Sequence, residues 1–277
     1  MSPTTPASDA ARDTSPALPR PSITPAIGTT TWTINGTPHP RVLVTGAAGG
    51  IGCAVACHLH ALGAEVIATD RYAHPAPCGE IPVRALDLAD VDAINAFVDE
   101  LTAAGPIHGL VNAAGLFLGG PADVVTAGDF DALWAVNTRA VYALSTRLGS
   151  HMADAGGGSI VTIASNSGAI PRAHMVAYGA SKTAASLLTR SLGLELGRAG
   201  VRCNVVSPGT TRTQMITGLA SEDVLIAGVP DTYKAGIPLG KIAEPRDIAH
   251  TVGFVLSDQA GHMTAQDIVV DGGASAC

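Results

Sequence analysis

The feature that most constrains the fold is a regular alternation, from Arg41 onward, of short apolar runs with longer helical segments. The runs are almost continuously apolar, and most are rich in β-branched residues. Strands of this kind belong to parallel sheets that are covered by helices on both faces. The chain is therefore predicted to form an α/β fold with a doubly wound parallel sheet in three α/β/α layers. The predicted strands are RVLVT (41–45), EVIATD (65–70), VRALDL (83–88), IHGLVN (107–112), SIVTIAS (159–165), VRCNVVSP (201–208) and QDIVV (266–270).

The N-terminal stretch, residues 1–39, is rich in proline, serine and threonine and has no sustained apolar period. Such a segment cannot bury enough surface to offset its ordering entropy, so we predict a disordered extension. The alternative is that TWTING (31–36) adds a short edge strand or touches a neighbouring subunit. Residues 40–277, which are of a size to bury one core, form the single predicted domain.

Composition excludes several classes of protein. The net charge is -7 and no Lys/Arg run forms a basic stripe, so no nucleic acid is expected as partner. No apolar run is long enough to span a bilayer, no His/Cys/Asp cluster has metal-ligand spacing, and the five cysteines show no CxxC pair. We predict a cytoplasmic protein without metal or membrane contact, whose partner is a small molecule.

A glycine-rich turn, TGAAGGIG (45–52), connects the first strand of this domain to a helix. Gly46, Gly50 and Gly52 allow the backbone and the helix N-terminus to approach a pyrophosphate. Asp70 ends the next strand, where a carboxylate can accept hydrogen bonds from ribose hydroxyls and repel a 2′-phosphate. The pattern favours NAD over NADP, although the adjacent Arg71 could accommodate the phosphate; Asp70 could also be a plain turn residue.

A serine, a tyrosine and a lysine lie within residues 165–182. Tyr178 and Lys182 are four residues apart in a helical pattern and so share one helix face. A nearby cation favours the phenolate, which would make the tyrosine a general base. Ser165 follows a buried strand beside that helix. The alternative is an ordinary helix pair and a turn serine.

Taken in order, these motifs resemble those of the short-chain dehydrogenase/reductase family over residues 41–273. DL (87–88), NAAG (112–115), NVVSPG (204–209) and Thr213 join the glycine turn in this resemblance. It implies a Rossmann-type fold, NAD as cofactor, a homotetramer and a catalytic tetrad of Asn137, Ser165, Tyr178 and Lys182. The implied cofactor-binding residues are Gly46, Gly50, Ile51, Gly52, Asp70, Arg71, Asp87, Leu88, Asn112, Ala113, Gly115, Lys182, Pro208, Gly209, Thr211 and Thr213.

A narrower resemblance involves PRAHMVAYGASK (171–182), GVRCNVVSPGT (200–210), GIPLGKIAEP (236–245) and TAQDIVVDGG (264–273). These segments are similar to family members that oxidise a carboxylated cyclohexadiene diol at C3 to an aromatic diol acid. The amino analogue of the substrate, another alcohol or ketone, and a non-catalytic NAD-binding role are the alternatives.

A carboxylated substrate requires a cation in its pocket. Arg172 lies between Ser165 and Tyr178, and its planar guanidinium suits a bidentate carboxylate contact; the alternative is a solvent-facing loop arginine. Met175 is predicted either to line the ring site or to pack under the loop. Arg212, Lys234 and Lys241 are weaker candidates for the acid group. Residues 210–240 are predicted to form a mobile lid, for which a plain surface excursion is the alternative.

Overall fold

The predicted strands pair in one parallel sheet in a computed structural model of the chain, which describes residues 31–73, 81–216 and 220–276. A short hairpin, β1 (Thr33–Ile34) and β2 (Thr37–Pro38), precedes this sheet. The strands of the sheet are β3 (Arg41–Thr45), β4 (Glu65–Asp70), β5 (Val83–Ala85), β6 (Gly109–Asn112), β7 (Gly158–Ile163), β8 (Val201–Pro208) and β9 (Asp267–Val270). Their spatial order is β5-β4-β3-β6-β7-β8-β9. The doubly wound sheet is confirmed.

Helices cover both faces of this sheet. They are α1 (Gly50–Ala61), α2 (Val91–Ala103), α3 (Ala127–Trp134), α4 (Ala140–Asp154), α5 (Val176–Leu196), α6 (Glu222–Ala227) and α7 (Pro245–Leu256). Successive residues of a strand point to opposite faces, so Val42 and Val44 pack with α1 and α7, while Leu43 packs with α2 and α4. All three are fully buried. The three-layer architecture follows from strands that are apolar on both faces.

The residues just before the sheet are ordered, so the predicted disorder is wrong for residues 31–39. Trp32 is buried and its Nε1 donates to the carbonyl of Gly253 at 2.9 Å, and Ile34 joins the core beside α7. Asp258 accepts hydrogen bonds from Thr33 Oγ1 (2.6 Å) and from two backbone N–H groups of the hairpin. Residues 1–30 lie outside the described part of the chain. The polar, proline-rich composition of the segment gave no indication that Trp32 and Ile34 are buried.

Parallel strands place all their carboxyl ends at one edge of the sheet. The chain adds strands on both sides of β3: β4 and β5 lie on one side, and β6 to β9 on the other. The direction of strand addition therefore switches between β3 and β6, which pair with each other. Ligands of doubly wound folds bind in the crevice at this point.

The described helices include none that is both long enough and apolar enough to cross a membrane.

Candidate active site

A cleft of about 870 Å³ runs along the carboxyl ends of the strands. It brings together residues that are far apart in sequence, and most of the predicted site residues line it. These are Gly46, Gly50, Ile51, Gly52, Asp70, Arg71, Asp87, Leu88, Ala113, Gly115, Ser165, Tyr178, Lys182, Pro208, Gly209, Thr211 and Thr213. Asn112, Asn137, Arg172 and Met175 are not part of this lining.

The glycine turn is shaped by close backbone contacts. Gly46 has φ +69°, and a Cβ atom on Gly52 would lie 2.2 Å from the carbonyl oxygen of Gly46. Helix α1 starts after Gly49 without a side-chain cap and without an acidic residue in its first turn. Its first N–H groups therefore face the cleft beside a positive helix end, which suits a pyrophosphate. The turn fits a dinucleotide.

Asp70 anchors the next part of the cleft. Its carboxylate accepts hydrogen bonds from the backbone N–H of Ala48 at 3.0 Å and of Arg71 at 2.7 Å. The Arg71 side chain lies 3.9 Å from the carboxylate of Asp87. The negative charge of Asp70 is thus fixed in the cleft, while the positive charge of Arg71 has an acidic neighbour.

Asn112 has a structural position. Its Nδ2 donates to Ser145 Oγ at 2.9 Å and to Thr162 Oγ1 at 3.1 Å, and the side chain is buried. These bonds tie the end of β6 to α4 and to β7. Asn112 does not line the cleft, so its place among the cofactor-binding residues stays a prediction.

Tyr178 and Lys182 occupy successive turns of α5, as predicted, and both are buried. Lys182 Nζ donates to the carbonyl of Ile163 at 2.9 Å, and burial lowers the pKa of Lys182 to about 8. Burial raises the pKa of Tyr178, and a hydrogen bond with Ser165 opposes that rise. The direction is opposite to the predicted lowering of the tyrosine pKa, because desolvation of the buried phenol disfavours its phenolate.

Ser165 follows β7 and stands beside Tyr178. Its hydroxyl lies 2.8 Å from that of Ser167 and accepts a hydrogen bond from the backbone N–H of Ser167. Phe117 packs edge-on against the Tyr178 ring with centroids 4.9 Å apart. The hydroxyls of Ser165 and Tyr178 thus lie together at one end of the cleft, where a reacting oxygen could contact both.

Asn137 lies in a π-helical turn, Ala135–Arg139, that connects α3 to α4. Its Oδ1 accepts from the N–H of Leu116, and its Nδ2 donates to the Leu116 carbonyl and to Ser181 Oγ. A Cβ atom on Gly115 would lie 3.1 Å from Lys182 Nζ and 3.6 Å from Asn137 Oδ1. The side chains of Lys182 and Asn137 therefore both lie close to Gly115.

The candidate substrate residues Arg172 and Met175 lie on the loop between Ser165 and α5. Arg172 is half-buried; burial lowers its pKa, and the charge of Asp271 opposes the shift. Met175, also half-buried, precedes α5. Arg212 forms ion pairs with Glu222 and Glu244, so its guanidinium already has two carboxylate partners.

Several residues of the site were not predicted from the sequence. Asn166 donates to the Asp271 carboxylate at 3.0 Å, which connects the serine loop to the segment after β9. The cleft is also lined by residues that were not predicted as site residues. Ala48, Gly49 and Ala114 belong to the glycine turn and to NAAG, while the others lie outside those two motifs, namely Leu86, Ala89, Leu116, Ala132, Val136, Ile163, Ala164, Gln214, Met215 and Ile216. No local signal marks this second group; only the fold brings these residues to the cleft.

A cleft with a glycine turn at one end and a buried Tyr/Lys pair beside a serine at the other defines an oxidoreductase that uses a nicotinamide cofactor. Comparisons with known proteins agree. A family model described as enoyl-(acyl carrier protein) reductase matches residues 46–275. The chain therefore belongs to the short-chain dehydrogenase/reductase family, and a nicotinamide cofactor is the group its cleft binds.

Three relatives illustrate the similarity. The chain is 40% identical over 248 residues to a 2,3-dihydro-2,3-dihydroxybenzoate dehydrogenase of Bacillus subtilis, covering 84% of this chain and 94% of the relative. It is 42% identical over 240 residues to the Escherichia coli protein of the same name, covering 85% and 96%. A structure described as a putative NAD(P)-dependent gluconate 5-dehydrogenase from Beutenbergia cavernae, with bound NADP, has a TM-score of 0.78 at 34% identity, covering 86% and 97%.

Proposed function

We propose that the protein oxidises 2,3-dihydro-2,3-dihydroxybenzoate at C3 with NAD, giving 2,3-dihydroxybenzoate. The observation that carries the chemistry is the meeting of Ser165, Tyr178 and Lys182 at one end of a cleft whose other end holds Asp70. The two relatives named for this dehydrogenase support the substrate. Asp70 supports NAD, because its carboxylate would repel the 2′-phosphate of NADP.

Tyr178 is the proposed general base. It removes the proton of the C3 hydroxyl, to which Ser165 donates a hydrogen bond. Burial raises the pKa of Tyr178, so the phenolate needs a cation, and Lys182 supplies it one helical turn away. With a pKa of about 8, Lys182 is largely protonated at neutral pH. When bound, NAD accepts the hydride from C3.

Asn137 is the proposed outlet for the proton. Its Oδ1 accepts one hydrogen bond, from Leu116, and a carbonyl oxygen has two lone pairs. We propose that the second lone pair holds a water that connects Lys182 to solvent. The C3 ketone then tautomerises to the aromatic diol acid: C2 releases its hydrogen to solvent as a proton and the C3 oxygen takes up a proton, so oxidation is the favoured direction.

Arg172 is the proposed contact for the substrate carboxylate, with Met175 beside the ring. Arg172 is half-buried on the loop that leads into α5, and so lies close in the chain to the base. We further propose a homotetramer, a catalytic domain over residues 40–277 onto which the preceding hairpin packs, and a lid over residues 210–240. Gln214, Met215 and Ile216 of that segment line the cleft, which supports its contact with ligands; residues 217–219 of the proposed lid lie outside the described residues.

The direct test is turnover. Purified protein is offered the diol acid or its amino analogue, each with NAD or NADP, and reduced cofactor is followed by absorbance. We expect the diol acid with NAD to give the highest kcat/KM. Absence of turnover with both acids would overturn the proposed function, while faster oxidation of the amino analogue would reassign the substrate.

A further inference from the structure

The loop that carries Arg172 is joined to a second loop by the backbone. The N–H of Ala173 donates to the carbonyl of Thr232 at 3.3 Å. Thr232 lies in a tight hairpin of residues 229–234, closed by Val229 N to Lys234 O at 2.9 Å and Lys234 N to Val229 O at 3.1 Å. The hairpin therefore holds Lys234 in a fixed relation to the Arg172 loop.

This hairpin is closely packed. Gly228 has φ +89°, and a Cβ atom there would lie 2.6 Å from both Gly236 N and Lys234 O. Tyr233 at the hairpin tip also has positive φ, +55°, and is 81% exposed, whereas Lys234 is half-buried. The backbone turns the lysine inward and the tyrosine outward, which is the reverse of what solvation alone favours.

The charge that acts on Lys234 is the positive charge of Arg172. Burial lowers the pKa of Lys234, and the positive charge of Arg172 lowers it further. Asp271 is the carboxylate that acts on Arg172, and it already accepts hydrogen bonds from Asn166 Nδ2 and Gly273 N. Asp271 thus acts on Arg172 and has other donors, whereas the charge that acts on Lys234 is the like charge of Arg172. Keeping like charges together costs free energy, and a bound anion would offset it.

We infer that Lys234 and Arg172 bind the substrate carboxylate together, so that the hairpin supplies a second, specificity-determining contact. The inference rests on the proposed function, because it deepens the recognition of the same acid. Arg172 provides a planar fork and Lys234 a point charge, and a carboxylate has two oxygens to share between them.

The test compares Lys234→Met with Arg198→Met, a matched loss of positive charge at an exposed residue outside the site. With NADH present, calorimetry measures the binding of 2,3-dihydroxybenzoate and of catechol, which lacks the carboxylate. Lys234→Met should weaken the acid about tenfold and leave catechol within about twofold, a loss of about 1.4 kcal/mol for the acid alone. Arg198→Met should change neither, and Lys234→Arg should keep most of the acid affinity.

The outcomes separate the two proposals. If wild-type protein oxidises the diol acid but Lys234→Met binds both ligands as Arg198→Met does, the inference alone is overturned. Equal weakening of acid and catechol would likewise assign Lys234 a merely structural role. If wild-type protein neither oxidises the diol acid nor binds its product, the proposed function fails, and this inference with it. Thermal melting checks that each variant is folded, and Lys234→Gln replaces Lys234→Met if that variant is not.

Discussion

Lys182 is a fully buried cation whose pKa falls to about 8. Its charged form is disfavoured in the folded chain, so folding is penalised at pH values below the folded pKa. The penalty disappears as the pH rises toward the ordinary lysine value. We expect the free energy of unfolding of wild-type protein, relative to Lys182→Met, to increase by about 2 kcal/mol between pH 7 and 9.5. Urea unfolding of both proteins measures it.

Lys241→Met is the control for this pH series, because Lys241 is exposed. Its unfolding free energy should follow that of wild-type protein across the range. A constant difference between wild type and Lys182→Met would show that the buried lysine keeps its ordinary pKa. The substitution also removes the hydrogen bond that Lys182 donates to the carbonyl of Ile163. The direction of the change with pH is therefore what tests the lowered pKa, and not the absolute difference in unfolding free energy between the two proteins.

Tyr178 carries the proposed base. Tyr178→Phe keeps the ring contact with Phe117 but removes the hydroxyl, so kcat should fall at least about a hundredfold with little change in melting temperature. Tyr142→Phe alters an exposed tyrosine on α4 and should keep full activity. Equal activity of the two variants would remove Tyr178 from the mechanism.

Asp70 is expected to select the cofactor. Asp70→Asn keeps an acceptor for the turn but removes the negative charge, so the preference in kcat/KM for NAD over NADP should fall about tenfold. Asp123→Asn, at an exposed loop aspartate, should leave it unchanged. An unchanged preference in Asp70→Asn would mean that another residue excludes the 2′-phosphate.

The β1–β2 hairpin is attached to the fold through Asp258. Burial by itself raises the pKa of this carboxyl, but hydrogen bonds from Thr33, Gly36 and Asn35 lower it overall. The stabilisation is therefore present above the ordinary carboxyl pKa and is lost as the pH falls through the lowered one. Asp258→Ala should reduce the free energy of unfolding at pH 7 by about 2 kcal/mol.

Hydrogen exchange locates that effect. Amides of residues 33–38 should lose protection in Asp258→Ala, whereas Gln259→Ala, at the exposed neighbouring position, should retain it. Loss of protection throughout the sheet, with the hairpin no more affected than the rest, would contradict a local clamp.

Elements with a strong local signal could be predicted from the sequence. The continuous apolar strands, the glycine turn and the Tyr178/Lys182 spacing each follow from neighbouring residues. The hairpin could not, because Trp32 is fixed by Gly253, far along the chain. The same holds for the Asn166–Asp271 contact, and for the tyrosine pKa, which depends on burial that only the tertiary structure supplies.

At the scale of the whole molecule, α4 and α5 expose several large apolar side chains. Tyr142, Leu187 and Leu194 are 53%, 61% and 75% exposed. Leu187 and Leu194 are two turns apart on one helix face, which favours packing against a second copy in the proposed tetramer. Light scattering should give about four chain masses for wild type and Val124→Glu, but a smaller assembly for Leu187→Glu. A monomeric wild type would contradict the proposal.

Isotope labelling tests most directly whether hydride leaves C3 of the diol acid for NAD while Tyr178 takes the hydroxyl proton. Substrate labelled with deuterium at C3 or at C2 would be oxidised by the protein, and the cofactor isolated for NMR. We expect deuterium at the nicotinamide C4 from the C3-labelled substrate, and release of the C2 label to solvent as the ring becomes aromatic. Deuterium on the cofactor from the C2-labelled substrate, or none from the C3-labelled one, would contradict the proposed mechanism.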